Sequence, residues 1–325
     1  MNLPNVLHIL PKDFTDASWC QIMALHENSN FNIQVLVPEE IEPHSAIPSA
    51  VYNSKNIKQA IAQYAPDIVH THNCHNLRTT AYKAGKFKRV HTQHRPEKLS
   101  FFGKFGVRKL SDIAIATTHE AHAYLLKIGI AKEKVRMVYC GAPQAKKTDS
   151  TILRQKLNIS PNDFVVICYT KSNDNENGGV ILRTAMELPY NTILVVDGQH
   201  AHMYDGQTSG KNISNIRFAE GVNVNIANAI VSFAPEDEQG KLLAAMSLGK
   251  PIITVGADKY IIEHGTNGVA LPNLTPDDLD DAITRLKEDR IWYEQLHQGA
   301  LTRYAKRFTT HRMAEEIEKI YRELL

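Results

Sequence analysis

The feature that most constrains this chain is an alternation of short Val/Ile-rich runs with helical stretches, which stops near the middle and then starts again. In the first half, apolar runs at 6–10 (VLHIL), 33–37 (IQVLV), 67–72 (DIVHTH), 89–94 (RVHTQH), 112–118 (DIAIATT) and 135–140 (VRMVYC) read as strands. Between them lie helical patterns that end near His26 and cover about 55–65, 76–86, 99–110 and 119–128. Strands of this composition separated by helices predict a parallel sheet covered on both faces. The polar segment GAPQAKKTDST (141–151) interrupts the pattern and reads as a linker. Runs at 164–170, 192–198, 216–220, 229–235, 251–256 and 268–272, with helices at 178–186 and 238–248, then repeat it, and the chain is helical from about 275 to its end. Thr275 followed by Pro276 is a helix start. The expected fold class is therefore α/β, with two doubly wound domains, and ligands at the carboxyl ends of the strands.

A length of 325 residues fits two domains. With 43% hydrophobic and 22% charged residues, the composition excludes a disordered chain. No apolar run approaches the ~20 residues needed to cross a bilayer. The opening MNLPNVLHILPKDF lacks a basic lead-in, and Pro4, His8 and Pro11 break its apolar stretch, so no secretory signal is expected. Four scattered cysteines, with no CxxC pair, predict neither a zinc ribbon nor a disulfide framework and suit a reducing cytoplasm. The net charge of +2 conceals a split. Up to Lys147 there are 19 Lys+Arg against 11 Asp+Glu, and beyond it 18 against 24. A first half at +8 either meets an anionic partner or simply solvates its helices with long basic side chains.

The chain contains no GxGxxG, GxxxxGK[ST] or GxSxG, so dinucleotide oxidoreductases, P-loop enzymes and α/β-hydrolases lose their main signature. Histidine is abundant, at 15 residues. His70, His72 and His75 surround the end of one strand with Cys74 between them, His91 and His94 close the next, and His119 and His122 open a helix. HTHNCH offers two or three zinc ligands, but no carboxylate stands beside them in the sequence. The other readings are histidines hydrogen-bonded at strand ends, and one histidine aimed at a substrate. For the last, His94 is the candidate, at a carboxyl strand end beside Arg95 and Pro96.

In the second half, APEDEQGKLLAAMSLGKPII (234–253) carries a strand end, an acidic loop and a helix beginning near Glu238. The free N–H groups of such a helix start, at Glu238, Gln239 and Gly240, suit a phosphate. Glu236, just before it, suits sugar hydroxyls instead. Alternatively Glu236, Asp237 and Glu238 cap the helix.

This stretch resembles the retaining glycosyltransferases of group 1 (family 4). Their E-G-F-G-L-x-L-L-E-A-M-A-x-G-K-P corresponds to Glu236 through Pro251 here, and YIIEHGTNGVALP (260–272) is similar to E-I-I-x-x-G-x-N-G-x-L-V-P. RFTTHRMAEEIEKIYRELL at the end, and DIVHTH, VHTQH and THEAHAYLLKIGIAKEKVRMVYCGAP in the first half, are similar to further family patterns, so the resemblance spans most of the chain. It implies a GT-B fold: an acceptor domain over 1–145, a nucleotide-sugar domain over 146–307, and a tail helix over 308–325 that crosses back to the first domain. It implies transfer of a sugar, with retention, from a nucleotide-diphosphate sugar to a glycan or lipid-linked acceptor, without a metal or other cofactor. The setting it implies is cell-envelope polysaccharide synthesis in the cytoplasm, with weak attachment to the membrane surface and no nucleic acid. A homo- or hetero-dimer stays open.

Carried over by motif, His94 falls on the active-site histidine at the donor sugar and Glu236 on the first glutamate of the E-x7-E pair. The second glutamate, which binds the ribose, is Ala244 here. Lys171 and Asn177 stand where the family grips the diphosphate with Arg and Lys, PKDFTD (11–16) replaces a glycine-rich loop, and the loop around 219–228 is short. Loss of one such cation costs on the order of 10²–10³ in rate, and loss of the ribose carboxylate roughly 1.5–3 kcal/mol. These departures keep a second reading in view: a non-catalytic GT-B subunit that binds a partner glycosyltransferase or a glycan. The segment LSFFGKFGVRKL (99–110) interleaves three phenylalanines with three cations, and either docks on anionic lipid or buries its rings against the sheet.

Overall fold

In a computed structural model, residues 3–42, 46–53, 56–73, 85–96, 108–169, 175–198, 213–233, 238–255, 260–273 and 275–325 are described. The chain divides into two compact units, one of residues 1–142 and 307–325, the other of residues 143–306.

The first unit is built on a seven-stranded sheet: β1 (Asn5–Ile9), β2 (Asn32–Pro38), β3 (Ser49–Tyr52), β4 (Ile68–His72), β5 (Lys88–Gln93), β6 (Ile113–Ala116) and β7 (Val135–Met137). Their order is β3-β2-β1-β4-β5-β6-β7, and every pairing is parallel. The order reverses between β1 and β4. Because side chains alternate across a strand, Leu7, Ile9 and Val69 face α2 (Ile57–Tyr64) in one cluster. Val6, Leu10, Ile68 and Val90 face the other way, towards α1 (Asp16–Asn28) and the last helix of the chain. α3 (His119–Lys127) starts at Thr118, whose hydroxyl accepts from the Ala121 N–H at 3.0 Å.

The second unit has six parallel strands in the order β10-β9-β8-β11-β12-β13, which reverses between β8 and β11. They are β8 (Phe164–Tyr169), β9 (Thr192–Asp197), β10 (Ile216–Ala219), β11 (Ala229–Ser232), β12 (Ile252–Val255) and β13 (Gly268–Leu271). The helices are α4 (Thr151–Lys156), α5 (Asn175–Glu187), α6 (Gln239–Ser247), α7 (Pro276–Glu288) and α8 (Arg290–Arg307). Thr275 caps α7 as its sequence predicts, accepting from the Asp278 N–H at 3.1 Å with Pro276 in the first turn.

The tail is helical as expected but broken twice, at Asp289 and at Phe308-Thr309, so that α9 (Thr310–Leu324) is a separate element belonging to the first unit. Met313, Ala314, Ile317, Ile320 and Tyr321 form its buried stripe and join the α1 side of the first core. The join is tight. Ala142 N–H donates to the Phe308 carbonyl at 2.9 Å, and a Cβ at Gly141 would lie 2.5 Å from the Thr309 carbonyl oxygen, which leaves glycine as the residue that fits.

Two elements lie outside the sequence expectation. β3 is a four-residue edge strand with one buried side chain, and α4 buries none, so neither carries the periodic apolar signal. Most of the expected helix at 76–86 and most of that at 99–110 lie outside the described residues.

Candidate active site

His94 directly follows β5, at the carboxyl edge of the first sheet, and is buried. Its backbone is clipped on both sides. Asn73, left-handed at φ 44°, accepts the His94 N–H on its side-chain oxygen at 2.8 Å, and the Thr117 hydroxyl donates to the His94 carbonyl at 3.3 Å. Arg95 turns outward to Asp13, 3.5 Å away.

Behind His94 the sheet register assembles a polar line inside the core. β1 pairs with β4 so that His8 neighbours His70, and β4 pairs with β5 so that His72 neighbours Thr92. All of these side chains are fully buried. His94 Nε2 meets His72 Nδ1 at 3.1 Å, and His72 Nε2 meets His8 Nδ1 at 2.9 Å. The ring centroids are 5.4 and 5.2 Å apart with planes within 13° and 26°, so each hydrogen bond runs edge to edge, close to the ring planes. Tyr321, from α9, reaches the fourth ring and the far nitrogen of His8: its Oη lies 2.5 Å from His70 Nδ1 and 3.4 Å from His8 Nε2. His70 Nε2 meets the Thr92 hydroxyl at 2.7 Å. At the open end, His94 Nδ1 is buried without a hydrogen-bond partner among the described residues.

Burial keeps these rings neutral. It pushes His8 down to about 3, and His94 down to about 3 with help from the Arg95 charge. His70 and His72 are held well below the ordinary histidine value, by burial first and neighbouring rings second. The Tyr321 phenol is raised by burial. Among the described residues no carboxylate pairs with any of these four rings, so nothing stabilises an imidazolium, and His94 is suited to neutral hydrogen bonding rather than general acid–base work.

The nitrogens of His8, His70 and His72 come within 4.8 Å of one another. The geometry is nonetheless that of a hydrogen-bond line. His8 and His72 share a proton, and His70 stacks over His72 at 4.5 Å and 16°. A metal takes an in-plane lone pair from each ring, and stacked rings direct theirs along parallel paths. His75 and Cys74 lie outside the described residues. On the opposite face of β5, His91 bonds to Thr71 and Gln93 at 3.0 and 3.1 Å, which makes it a strand-end structural histidine.

In the second unit the carboxyl ends of β8, β9 and β11 gather Tyr169, Asp197, Ser232, Glu238 and Lys241. Asp197 is buried, accepts the Gly221 N–H at 2.8 Å and lies 3.5 Å from Lys241 Nζ. Lys241 stands 4.5 Å over the Tyr169 ring. Burial, then the charges of Asp197 and Glu238, raise the Tyr169 phenol. Glu238 occupies the N-cap position of α6 without capping it; its carboxylate accepts from the Ser232 hydroxyl at 2.7 Å. That removes Glu238 from the capping alternative. Gln239 and Gly240 open α6, and a Cβ added at Gly240 would meet nothing within 4 Å among the described residues. Asn177 lies in the first turn of α5 and Ala244 is half-buried on α6. Glu236 and Lys171 lie outside the described residues.

Sequence reasoning missed His8, Tyr321, Asp197 and Lys241. Two of these carried a signal. Asp197 ends the apolar run TILVVD at the ligand edge of a sheet. Lys241 is a cation in a helix's first turn, where the dipole disfavours it unless a carboxylate answers.

Residues 23–145 match the family described as Glycosyltransferase Family 4. That match covers most of the first unit and little beyond it. No curated protein matches the chain in sequence. Among solved structures, HepE of Anabaena in complex with UDP is similar at TM-score 0.80 and 16% identity, over 99% of this chain and 100% of that one. A glycosyltransferase from Rickettsia africae gives 0.80 and 13%, over 100% and 99%. The lipopolysaccharide outer core galactosyltransferase WaaB gives 0.72 and 15%, over 98% and 100%. Two doubly wound parallel α/β units in this order constitute the GT-B fold expected from the sequence.

Proposed function

We propose that the protein is a glycosyltransferase that moves a sugar from a nucleotide-diphosphate donor to a glycan or lipid-linked acceptor, with retention of configuration. The observation that carries this reading is His94, a neutral, buried imidazole with one nitrogen unpartnered among the described residues, at the ligand edge of a unit that matches the family 4 model. A neutral ring nitrogen holds a sugar hydroxyl without introducing charge. In the transfer, the bond from the anomeric carbon to the diphosphate breaks, a bond to the acceptor oxygen forms, and the acceptor proton leaves with the diphosphate side. The main electrostatic demand is on the leaving diphosphate. The family resemblance assigns that demand to Lys171, Asn177 and the N–H groups of Gln239 and Gly240, and assigns His94 and Glu236 to the sugar. The similarity to HepE, solved with UDP and with UDP-glucose, supports a uridine donor.

Ala244, in place of the second motif glutamate, favours one other reading, a non-catalytic subunit that binds a partner enzyme or a glycan. Calorimetric titration with UDP and GDP separates the two. Binding of either in the micromolar range supports the enzyme, and absence of binding at millimolar ligand leaves the subunit. Among the described residues no helix is long and apolar enough to cross a membrane. The basic, Phe-bearing segment 99–110 brings the chain weakly to anionic lipid, and co-sedimentation with anionic vesicles that salt abolishes is the expected result.

A further inference from the structure

We propose that Tyr321, on the last helix, is a positioning residue that fixes the tautomer of His94 through His8 and His72, and presents His94 Nδ1 as a bare acceptor for a sugar hydroxyl. The role at the sugar rests on the function proposed above; the tautomer does not.

A neutral imidazole has one N–H donor and one acceptor nitrogen. Along a line of such rings the choice made by one member dictates every other. Two self-consistent orders exist. In the outward order Tyr321 O–H donates to His8 Nε2, His8 Nδ1–H to His72 Nε2, and His72 Nδ1–H to His94 Nε2. His94 then carries its proton on Nδ1, and His70 Nδ1–H donates to Tyr321 Oη. In the inward order every proton sits on the other nitrogen. His94 Nε2–H donates to His72, His72 Nε2–H to His8, and His8 Nε2–H to Tyr321 Oη. Tyr321 O–H donates to His70 Nδ1, and His70 Nε2–H to Thr92. Each order conserves one proton per ring.

The distances around Tyr321 select between them. The contact with His70 Nδ1 is 2.5 Å and that with His8 Nε2 is 3.4 Å. Hydroxyl donors make the shorter hydrogen bonds, and N–H donors to oxygen the longer ones. The phenol proton therefore points at His70, the phenol oxygen accepts from His8, and the inward order follows. His94 Nδ1, the one nitrogen of the line without a partner among the described residues, is left with a lone pair. A lone pair takes a hydroxyl proton and rejects the oxygens of an ionised phosphate. It therefore discriminates the sugar of a nucleotide sugar from its diphosphate.

The test is two-bond ¹H–¹⁵N correlation NMR on protein labelled at histidine, without ligand, with signals assigned through single His→Gln variants. The expected result is that His8, His70, His72 and His94 all carry the proton on Nε2. An Nδ1–H form of His8, His72 or His94 overturns the proposal. In Tyr321→Phe the phenol no longer biases His8, so a substantial Nδ1–H population should appear at His94. Turnover of a sugar donor should then fall about tenfold, as for one lost hydrogen bond, while UDP affinity stays within about twofold. A variant that keeps His94 entirely as Nε2–H shows that Tyr321 does not set the tautomer, and the proposal falls. Should Tyr321→Phe not fold, the wild-type tautomers still decide. Failure to bind UDP would count against the glycosyltransferase reading and leave the tautomer result standing.

Discussion

Acidification to pH 5.5 should unfold the first unit selectively. A histidine in an unfolded chain titrates near 6.5. In the fold, His8 and His94 are pushed down to about 3, and His70 and His72 lie well below the ordinary value, chiefly through burial. The unfolded state therefore binds more protons, and stability falls as pH drops below about 6.5 and goes on falling towards the folded values. At pH 7.5 the loss is negligible. At pH 5.5 each unfolded-state histidine is about nine-tenths protonated, and each of the four costs about 1.4 kcal/mol. Together they remove roughly 6 kcal/mol, comparable with the whole stability of an ordinary domain at 5–15 kcal/mol. Carboxylates, with unfolded values near 4, contribute little in this window.

The two tryptophans allow the units to be followed separately, which matters because two units need not unfold in one step. Trp19 lies on α1 in the first unit and Trp292 on α8 in the second. Urea titrations by fluorescence in Trp292→Phe report the first unit, and those in Trp19→Phe the second. Between pH 7.5 and 5.5 the first unit should lose several kcal/mol. The second unit is the reference, because none of the four rings of the line lies in it. A loss below about 1 kcal/mol in the first unit, or equal losses in both, would refute the picture of a neutral buried histidine line.

Three further outcomes are expected. His94→Gln should lower sugar transfer by about 10² or more, with UDP affinity retained; activity within about threefold of wild type removes His94 from the site. Ala244→Glu should tighten binding of a nucleoside diphosphate by roughly 1.5–3 kcal/mol if the ribose lies over α6, measured by calorimetry; unchanged affinity places the ribose elsewhere. A chain ended before Thr309 should not form a folded first unit. Met313, Ile317, Ile320 and Tyr321 are buried there, and at roughly 1.5–3 kcal/mol each their loss matches a domain's stability. Retention of a cooperative Trp19 transition in that truncation would contradict this.

The alternation of apolar runs made both sheets legible, because strands buried on two faces need continuous Val/Ile runs and helices need room to cross between them. β3 and α4 were not legible, since an edge strand with one buried residue and a helix with none have no pattern to show. Within the site, alternation along a strand puts His70 and His72 on one face, and His8 shares the parity of Val6 and Leu10. Their meeting needed the strand order, which sets β1 beside β4 and β4 beside β5. Tyr321 recurs with Met313, Ile317 and Ile320 at helical spacing, which marks a buried position, but nothing in that spacing marks its phenol as a hydrogen-bonding group. Its partner His70 lies 251 residues away, and nothing local marks the pair. His94 stands at the carboxyl edge of β5, where its place in the apolar run puts it, and burial makes it a neutral ring.

The histidine line also accounts for why polar rings occupy a core that valine or leucine could fill. Replacing a fully satisfied buried polar network by well-packed apolar groups often leaves stability unchanged or raises it. Such a network therefore earns no explanation from stability, and the pH window above makes it a liability in acid. What it has that an apolar core lacks is direction. Reversing one proton in the line reverses all of them, so the hydrogen-bonding sense of the group at the sheet edge is tied to a phenol anchored at the far side of the core. Seven of the eight ring nitrogens of His8, His70, His72 and His94 meet partners inside this unit. The eighth, His94 Nδ1, stands at the carboxyl edge of the sheet, where a doubly wound fold binds its ligand. A network closed everywhere except at the ligand edge is arranged for what binds there, and α9 belongs to the site as much as to the core it covers.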